Sequence, residues 1–284
     1  MKTNPSPTNF TSNATHIAEY GYQLAKQLKA NVIFCNTESI PGEAAEAGIV
    51  VWPVEEGYGL SDGYQEELEL LKAHLNQLNP DGEFRPGVTF VNQSGITKFI
   101  VNTIARTQNI DFVLISKPGS NGLSTFFLGN NGKNMIKSLV KARILVPPVA
   151  RTAPIRKIAF AIDLKNTESD LEAVDKLIPF AKELNAEILI THIHTKNDTS
   201  PNFDGYMAHF LTKVSNDLTC PNIFYRTTTF DSLEKGLNWL CEYGKVDMLA
   251  MHTLQDSFFH SLSNKSYNDK MVNPLPVPLL VFAD

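Results

Sequence analysis

The sequence predicts an α/β protein of two similar doubly wound domains, each built on a mainly parallel sheet with helices on both faces. Two observations support this prediction: the chain repeats itself once, and within each copy short apolar runs alternate with amphipathic helical stretches. Strands that alternate with helices form parallel sheets, because two neighbouring parallel strands must be joined by a long crossover connection, which is usually a helix. A chain of 284 residues is long enough for two such domains with their own cores.

The repeat is visible in three matched segments that occur in the same order at similar spacing, which indicates an internal duplication. They are AKQLKANVIF (25–34) with AKELNAEILI (181–190), IDFVLIS (110–116) with VDMLAMH (246–252), and RILVPPV (143–149) with VPLLVFA (277–283). We place the boundary between the copies in the Pro- and Ala-rich stretch 148–154. The predicted domains are therefore residues 1–150 and 151–284.

The elements of each copy follow from apolar periodicity. In the first copy Ile17, Leu24 and Leu28 share one helical face. Further helices are predicted at 64–78, 96–107 and 133–140, and strands at 31–35, 88–91 and 111–115. In the second copy strands are predicted at 157–162, 188–192, 223–228, 248–251 and 277–282, and helices at 171–184, with a kink at Pro179, 206–215 and 233–243.

The first strand of the first copy is the weakest element of this pattern. The second copy has a buried strand at Ile158–Ile162, whereas the corresponding place in the first copy is Asn-Pro-Ser-Pro-Thr at 4–8. Two prolines among polar residues argue against a central strand. We expect this strand to be poorly formed, or the first domain to have lost some of its order.

Bulk composition excludes several classes of function. The net charge of −5 gives no basic field, so nucleic acid is not expected as a partner. No apolar run has the length of a membrane span, and the first ten residues lack the apolar core of a signal peptide, which indicates the cytoplasm. Three scattered cysteines do not make a disulfide framework. The sequence contains none of the common hydrolase, redox or Walker motifs, so we predict no catalytic residues.

A glycine-rich loop is the segment that indicates a ligand class. The predicted strand 112–115 runs into a loop with four glycines, before the helical stretch 133–140; they are Gly119, Gly122, Gly129 and Gly132. Glycines let the main chain approach an anion, and the free N–H groups of a helix start can bind a phosphate. A flexible Gly/Asn loop with an ordinary helix cap is the alternative, and the sequence leaves both open.

At these residues the chain resembles the universal stress protein family, in particular its tandem two-domain members. The resemblance implies a five-stranded parallel α/β domain in each copy. Nucleotide-binding members carry Gly-x2-Gly-x9-Gly followed by Ser or Thr, and an Asp after the first strand. Here the loop aligns as Ser116, Gly119, Gly129 and Asn130, with Asn131 beside it, and Asn9 takes the place of the Asp. The resemblance therefore implies weak binding of ATP or AMP by the first domain.

The second copy departs from the family pattern in the opposite way. Asp163 follows its first strand, where the family has its Asp, but the loop aligns without glycines, as His252, Gln255, Lys265 and Ser266. No nucleotide is therefore expected in the second domain, and Asp163 either binds a ligand hydroxyl or caps the following turn. His192 and His194 alternate along a strand and share a face, but no third ligand is evident, so we predict no metal site.

The function implied by the resemblance is that of a non-catalytic stress-response protein. Family members pair their last strands between domains, which here implies an intramolecular pseudo-dimer, while a homodimer of whole chains stays open. The loop of the second copy, which has lost its glycines, motivates an alternative: a scaffold, or a carrier of an apolar ligand, that no longer binds nucleotide. ATP hydrolysis is a third hypothesis, for which the sequence places no general base or metal-binding carboxylate near the loop.

Overall fold

The computed structural model describes residues 12–38, 62–79, 83–94, 97–115, 142–147, 150–162, 167–195, 203–217, 222–251 and 276–282. The chain forms two compact units, Met1–Asp111 and Phe112–Asp284. This division follows spatial contacts, whereas the boundary at residue 150 follows sequence similarity and stays a prediction about the repeat.

The first unit contains three helices and two strands among its described residues. They are α1 Ser12–Leu28, β1 Val32–Glu38, α2 Asp62–Gln77, β2 Val88–Ser94 and α3 Thr97–Thr107. The two strands pair in parallel along their whole length, from Val32 opposite Val88 onward. Apolar side chains of α1 and α2, such as Tyr22 and Leu75, pack against the strands, where the rings of Phe34 and Phe90 stack. These side chains form a small hydrophobic core on the two-stranded sheet.

The second unit is built on a seven-stranded sheet. Its elements are β3 Phe112–Ile115, β4 Ala142–Leu145, β5 Lys157–Ile162, α4 Thr167–Leu184, β6 Glu187–Thr195, α5 Phe203–Asp217, β7 Ile223–Phe230, α6 Leu233–Tyr243, β8 Met248–Met251 and β9 Leu279–Val281. The strand order is β3-β4-β9-β8-β5-β6-β7, and every neighbouring pair is parallel except β4 with β9. Nearly every residue of β5 and β8 is buried, as expected for central strands covered on both faces. The predicted α/β class with a mainly parallel sheet is confirmed.

The last strands of the two copies meet inside this sheet. Strand β4 runs antiparallel to β9, with Arg143 opposite Val281 and Leu145 opposite Leu279. The pairing of last strands that the family resemblance implied is therefore present within a single chain. As a consequence, β3 and β4 of the first copy share a sheet with all five strands of the second.

Within the described residues, the first copy lacks a strand equivalent to β5. In the second copy β5 lies between β6 and β8 and joins them. The equivalents of β6 and β8 are β1 and β3, which belong to separate sheets. The segment 4–8, where the sequence led us to doubt a strand, lies outside the described residues, as does the predicted helix 133–140.

Equivalent helices of the two copies end in the same way, which supports the duplication at the level of the main chain. Four non-glycine residues have φ between 50° and 52°, each just after a helix: Lys29, Asn109, Asn185 and Lys245. At the first matched pair of ends, the N–H of Ala30 donates to the carbonyl of Ala25, and the N–H of Ala186 donates to that of Ala181, both at 2.8 Å. A left-handed residue with such a bond is the Schellman ending of a helix.

The predicted elements that fall on described residues are all present, with differences at their ends. Helix α4 begins at Thr167 and continues through Pro179 to Leu184, so the proline does not end it. Strand β6 continues to Thr195, beyond the predicted end at residue 192. No helix in the described part of the chain is both long and apolar enough to cross a membrane.

Candidate functional site

The strand order of the seven-stranded sheet reverses between β5 and β8. These strands lie side by side and end at the same edge, with Ala161 opposite Met251. Strands β6 and β7 lie on one side of this point, and β9 and β4 lie on the other. In doubly wound sheets a ligand binds beyond the carboxyl ends of the strands at such a point. The segments that follow β5 and β8 in the chain, 163–166 and 252–275, lie outside the described residues, together with Asp163, His252, Gln255 and Lys265.

The site predicted for the first copy follows β3. This strand ends at Ile115, runs parallel to β4, and has the same relation to β4 as β8 has to β9. The glycine loop therefore leaves a strand that corresponds to one of the two strands at the switch point of the second copy. The predicted nucleotide-binding residues themselves lie outside the described part of the chain and stay predictions; they are Asn9, Ser116, Gly119, Gly129, Asn130 and Asn131.

His192 is a buried structural residue at the carboxyl half of β6. Only 3% of its surface is exposed, and its Nδ1 lies 3.0 Å from the carbonyl oxygen of Ile162, the last residue of β5. Because a carbonyl oxygen can only accept, Nδ1 carries the proton, which fixes the tautomer of the ring. The ring meets that of His194 edge to face, with centroids 4.7 Å apart. The two histidines thus share a face, as their alternation predicts.

Metal binding by this histidine pair has no further support in the geometry. Across the described ranges, no group of three or more His, Cys, Asp or Glu side chains is arranged to hold a metal ion. The hydrogen bond of His192 ties β6 to the last residue of β5, Ile162, at the carboxyl end of that strand.

Asp247 organises the opposite edge of the sheet. Its Oδ2 accepts hydrogen bonds from the main-chain N–H groups of Arg156 and Lys157, both at 2.9 Å, and its own N–H donates to the carbonyl of Lys157. These bonds hold the start of β5 beside β8, at the amino end of the strands. No local pattern in the sequence points to Asp247, but the repeat offers a signal, since Asp111 occupies the matching position of the first copy.

The buried thiol in the core of the second unit is not a nucleophile. Burial, and to a lesser extent the neighbouring charge of Glu242, raises the pKa of Cys241 to about 12. Burial also raises the pKa of Cys35 in the first unit. Thiols react as thiolates, so the buried Cys241 thiol is unreactive at neutral pH, whereas Cys35 lies exposed.

Comparison with known proteins identifies the fold. No family model matches the chain, and no curated protein sequence matches it significantly. Among solved structures, a universal stress protein from Archaeoglobus fulgidus DSM 4304 matches with a TM-score of 0.57 at 12% identity, over 97% of this chain and 94% of that one. A functionally unknown protein from Pseudomonas aeruginosa PAO1 matches with a TM-score of 0.54 at 9% identity, over 99% and 90%. A provisionally assigned universal stress protein from Pseudomonas aeruginosa UCBPP-PA14 matches with a TM-score of 0.51 at 9% identity, over 89% and 92%.

At these identities the matches define the fold. The chain has the mainly parallel α/β fold of the universal stress proteins, and the resemblance found in the sequence is confirmed at that level. The matches extend over nearly the whole of this chain and of each neighbour.

Proposed function

We propose that the chain is a tandem universal-stress-type protein that acts in a stress response in the cytoplasm, without catalysis, and binds an adenine nucleotide weakly in its first copy. The observation that carries the proposal is the position of β3. This strand pairs with β4 as β8 pairs with β9, and its last residue, Ile115, immediately precedes the loop with Gly119 and Gly129. The two copies act as a pseudo-dimer joined through β4 and β9.

Weak binding is expected because the first copy has lost part of the family pattern. A hydrogen bond to a charged group contributes about 1.5–3 kcal/mol, against about 0.5–1.5 kcal/mol for a neutral one. Asn9 in place of an Asp therefore lowers the affinity by roughly tenfold, since about 1.4 kcal/mol corresponds to that factor. A side chain forced into the left-handed region costs roughly 1–2 kcal/mol more, which is why Gln255 and Lys265 argue against a nucleotide in the second copy.

Calorimetric titration with ATP and AMP tests the proposal. The intact chain is compared with two matched variants, Gly119→Arg in the first loop and Gln255→Arg at the aligned position of the second. The wild type and Gln255→Arg should bind nucleotide with equal affinity, while Gly119→Arg should show no binding heat. Loss of binding in both variants, or in neither, or no binding by the wild type, contradicts the assignment to the first copy.

A second candidate function follows from the loop of the second copy, which has bulky side chains where the family has glycines. In this reading the protein is a scaffold or a carrier of an apolar ligand. Native mass spectrometry of the freshly purified protein tests the carrier function. A lipid-like adduct that ATP does not displace favours a carrier of an apolar ligand, and an empty protein in every preparation counts against it.

A further inference from the structure

Strand β7 is the outermost described strand at one side of the seven-stranded sheet. Its inner edge pairs with β6 without a break in register, from Ile188 opposite Ile223 to Thr195 opposite Phe230. No described strand pairs with its outer edge. The sequence of β7, IFYRTTTF, is rich in β-branched and aromatic residues and contains no proline, and Arg226 is its one charged residue. This edge is therefore a template for another strand.

The direction of the main-chain groups on β7 follows from one hydrogen bond. The carbonyl of Asn222 accepts from the N–H of Ile188 at 2.8 Å, so the groups of Asn222 point toward β6. Successive residues of a strand point their N–H and C=O groups to opposite sides. The groups that point away from β6 therefore belong to Ile223, Tyr225, Thr227 and Thr229.

The side chains of β7 divide between the two faces of the sheet. Arg226 and Phe230 lie on the face covered by α6, because the guanidinium of Arg226 is 5.7 Å from the ring centroid of Trp239 and the ring of Phe230 is 5.6 Å from it. Phe224 shares this face by alternation, and 51% of its surface is exposed. An aromatic and cationic strip therefore runs along the outer edge.

We propose that β7 pairs antiparallel with β7 of a second copy of this chain, about a two-fold axis at Thr227. The outward groups permit two registers that use nearly the whole strand, one centred on Arg226 and one on Thr227. The first places Arg226 opposite Arg226 of the second copy, and like charges directly opposite are unfavourable. The second places Arg226 opposite Thr228, and Phe224 opposite Phe230, on both sides of the axis.

This register is self-complementary. Thr227 exchanges two hydrogen bonds with Thr227 of the second copy, and Tyr225 does the same with Thr229. The half-exposed Phe224 gains an aromatic partner on the face of α6, and aromatic pairs across strands are favourable. The charge on Arg226 selects the register, because a shift that centres the pairing on this residue brings the two guanidinium groups together.

Sedimentation velocity of the full chain tests the dimer. We expect a concentration-dependent monomer–dimer equilibrium, which Thr227→Lys weakens about tenfold or more, because it places two ammonium groups on the axis. The control is Thr212→Lys, which adds the same charge at an exposed position of α5 and should leave dimerisation unchanged. A wild-type chain that sediments as a monomer at every concentration overturns the proposal, and so does an equal effect of the two variants.

Disulfide trapping tests the register independently. In a Cys35→Ser, Cys220→Ser background, Thr227→Cys should form a cross-linked dimer on mild oxidation, since Cα atoms of such a pair lie roughly 5.5 Å apart. Thr229→Cys should not, because it faces Tyr225 of the second copy. No cross-link at residue 227, or equal cross-linking at 229, excludes this pairing.

Discussion

Gly236 allows α6 to pack closely against the sheet, and its replacement by alanine should destabilise the second unit. A Cβ at this position would lie 2.5 Å from Cγ2 and 2.9 Å from Cδ1 of Ile193, and 3.0 Å from Cδ2 of Phe230. Ile193 is β-branched and only 5% exposed, so it has little freedom to move. Overpacking costs about 1–3 kcal/mol, and the better helix propensity of alanine returns about 1 kcal/mol. Because the 2.5 Å approach is far shorter than any ordinary Cβ contact, the upper half of that cost applies, and after the gain in helix propensity we expect Gly236→Ala to lower the free energy of unfolding by about 1–2 kcal/mol.

Urea unfolding of a matched set measures this effect. Gly205→Ala is the control, because Gly205 lies exposed in α5, where alanine should stabilise by up to about 1 kcal/mol. A double-mutant cycle with Ile193→Ala isolates the contact: once the side chain of Ile193 is truncated, Gly236→Ala should lose its cost. A Gly236→Ala protein as stable as the wild type, or a cost that persists beside Ile193→Ala, would refute the close packing of α6 on β6.

Three further predictions each concern the stability of the folded chain and a single residue. Asp247→Ala removes the acceptor of two main-chain hydrogen bonds at the start of β5 and should lower the free energy of unfolding in urea by about 1–3 kcal/mol; a loss no greater than that of Asp175→Ala, at an exposed position of α4, contradicts this role. The raised pKa of Cys241, about 12 against an ordinary 9.0, means that the unfolded chain loses this proton first. Stability should therefore fall above pH 9, with this thiol contributing at most about 1.4 kcal/mol per pH unit, and a Cys241→Ala protein with an equally steep decline rules this out. Lys29→Gly should stabilise the chain by about 1 kcal/mol by relieving a left-handed residue, and Asn185→Gly should gain less because asparagine tolerates that conformation; thermal unfolding that ranks them in the reverse order counts against the strain.

The sequence predicted those parts of the fold that depend on local patterns. The strands 157–162 and 248–251 and the helix 233–243 have the predicted ends, because apolar runs and helical periodicity define them locally. Strand β6 was predicted to end at residue 192 but reaches Thr195, because His194 and Thr195 pair with β7. Such an extension depends on a neighbouring strand, which no local pattern shows.

The mixed sheet could be anticipated only through the family resemblance. Strand β9 is a short apolar run that the sequence predicts as a strand, and β4 lies in the segment 143–149 that matches it in the repeat. Their antiparallel pairing depends on contacts between residues more than a hundred positions apart, such as Ile144 and Leu280. The sequence alone gives neither the partner nor the register of such a pair.

The described residues near the ends of the central strands were only partly predictable from the sequence. Alternation along β6 correctly placed His192 and His194 on one face, but the hydrogen bond from His192 to Ile162 crosses to another strand and has no local signature. Asp247 was missed for the same reason, since its two donors lie about ninety positions earlier in the chain. The matching position of the first copy is also an aspartate, Asp111, and an alignment of the two copies shows this pair.

Photolabelling with an azido-adenine analogue of ATP, followed by peptide mapping, tests the central claim most directly. The account predicts that the label attaches within residues 1–150, to peptides that contain Asn9 or the loop from Ser116 to Asn131, and that excess ATP prevents the labelling. Labelling confined to residues 151–284, or none that ATP suppresses, would contradict the claim that the first copy holds the nucleotide.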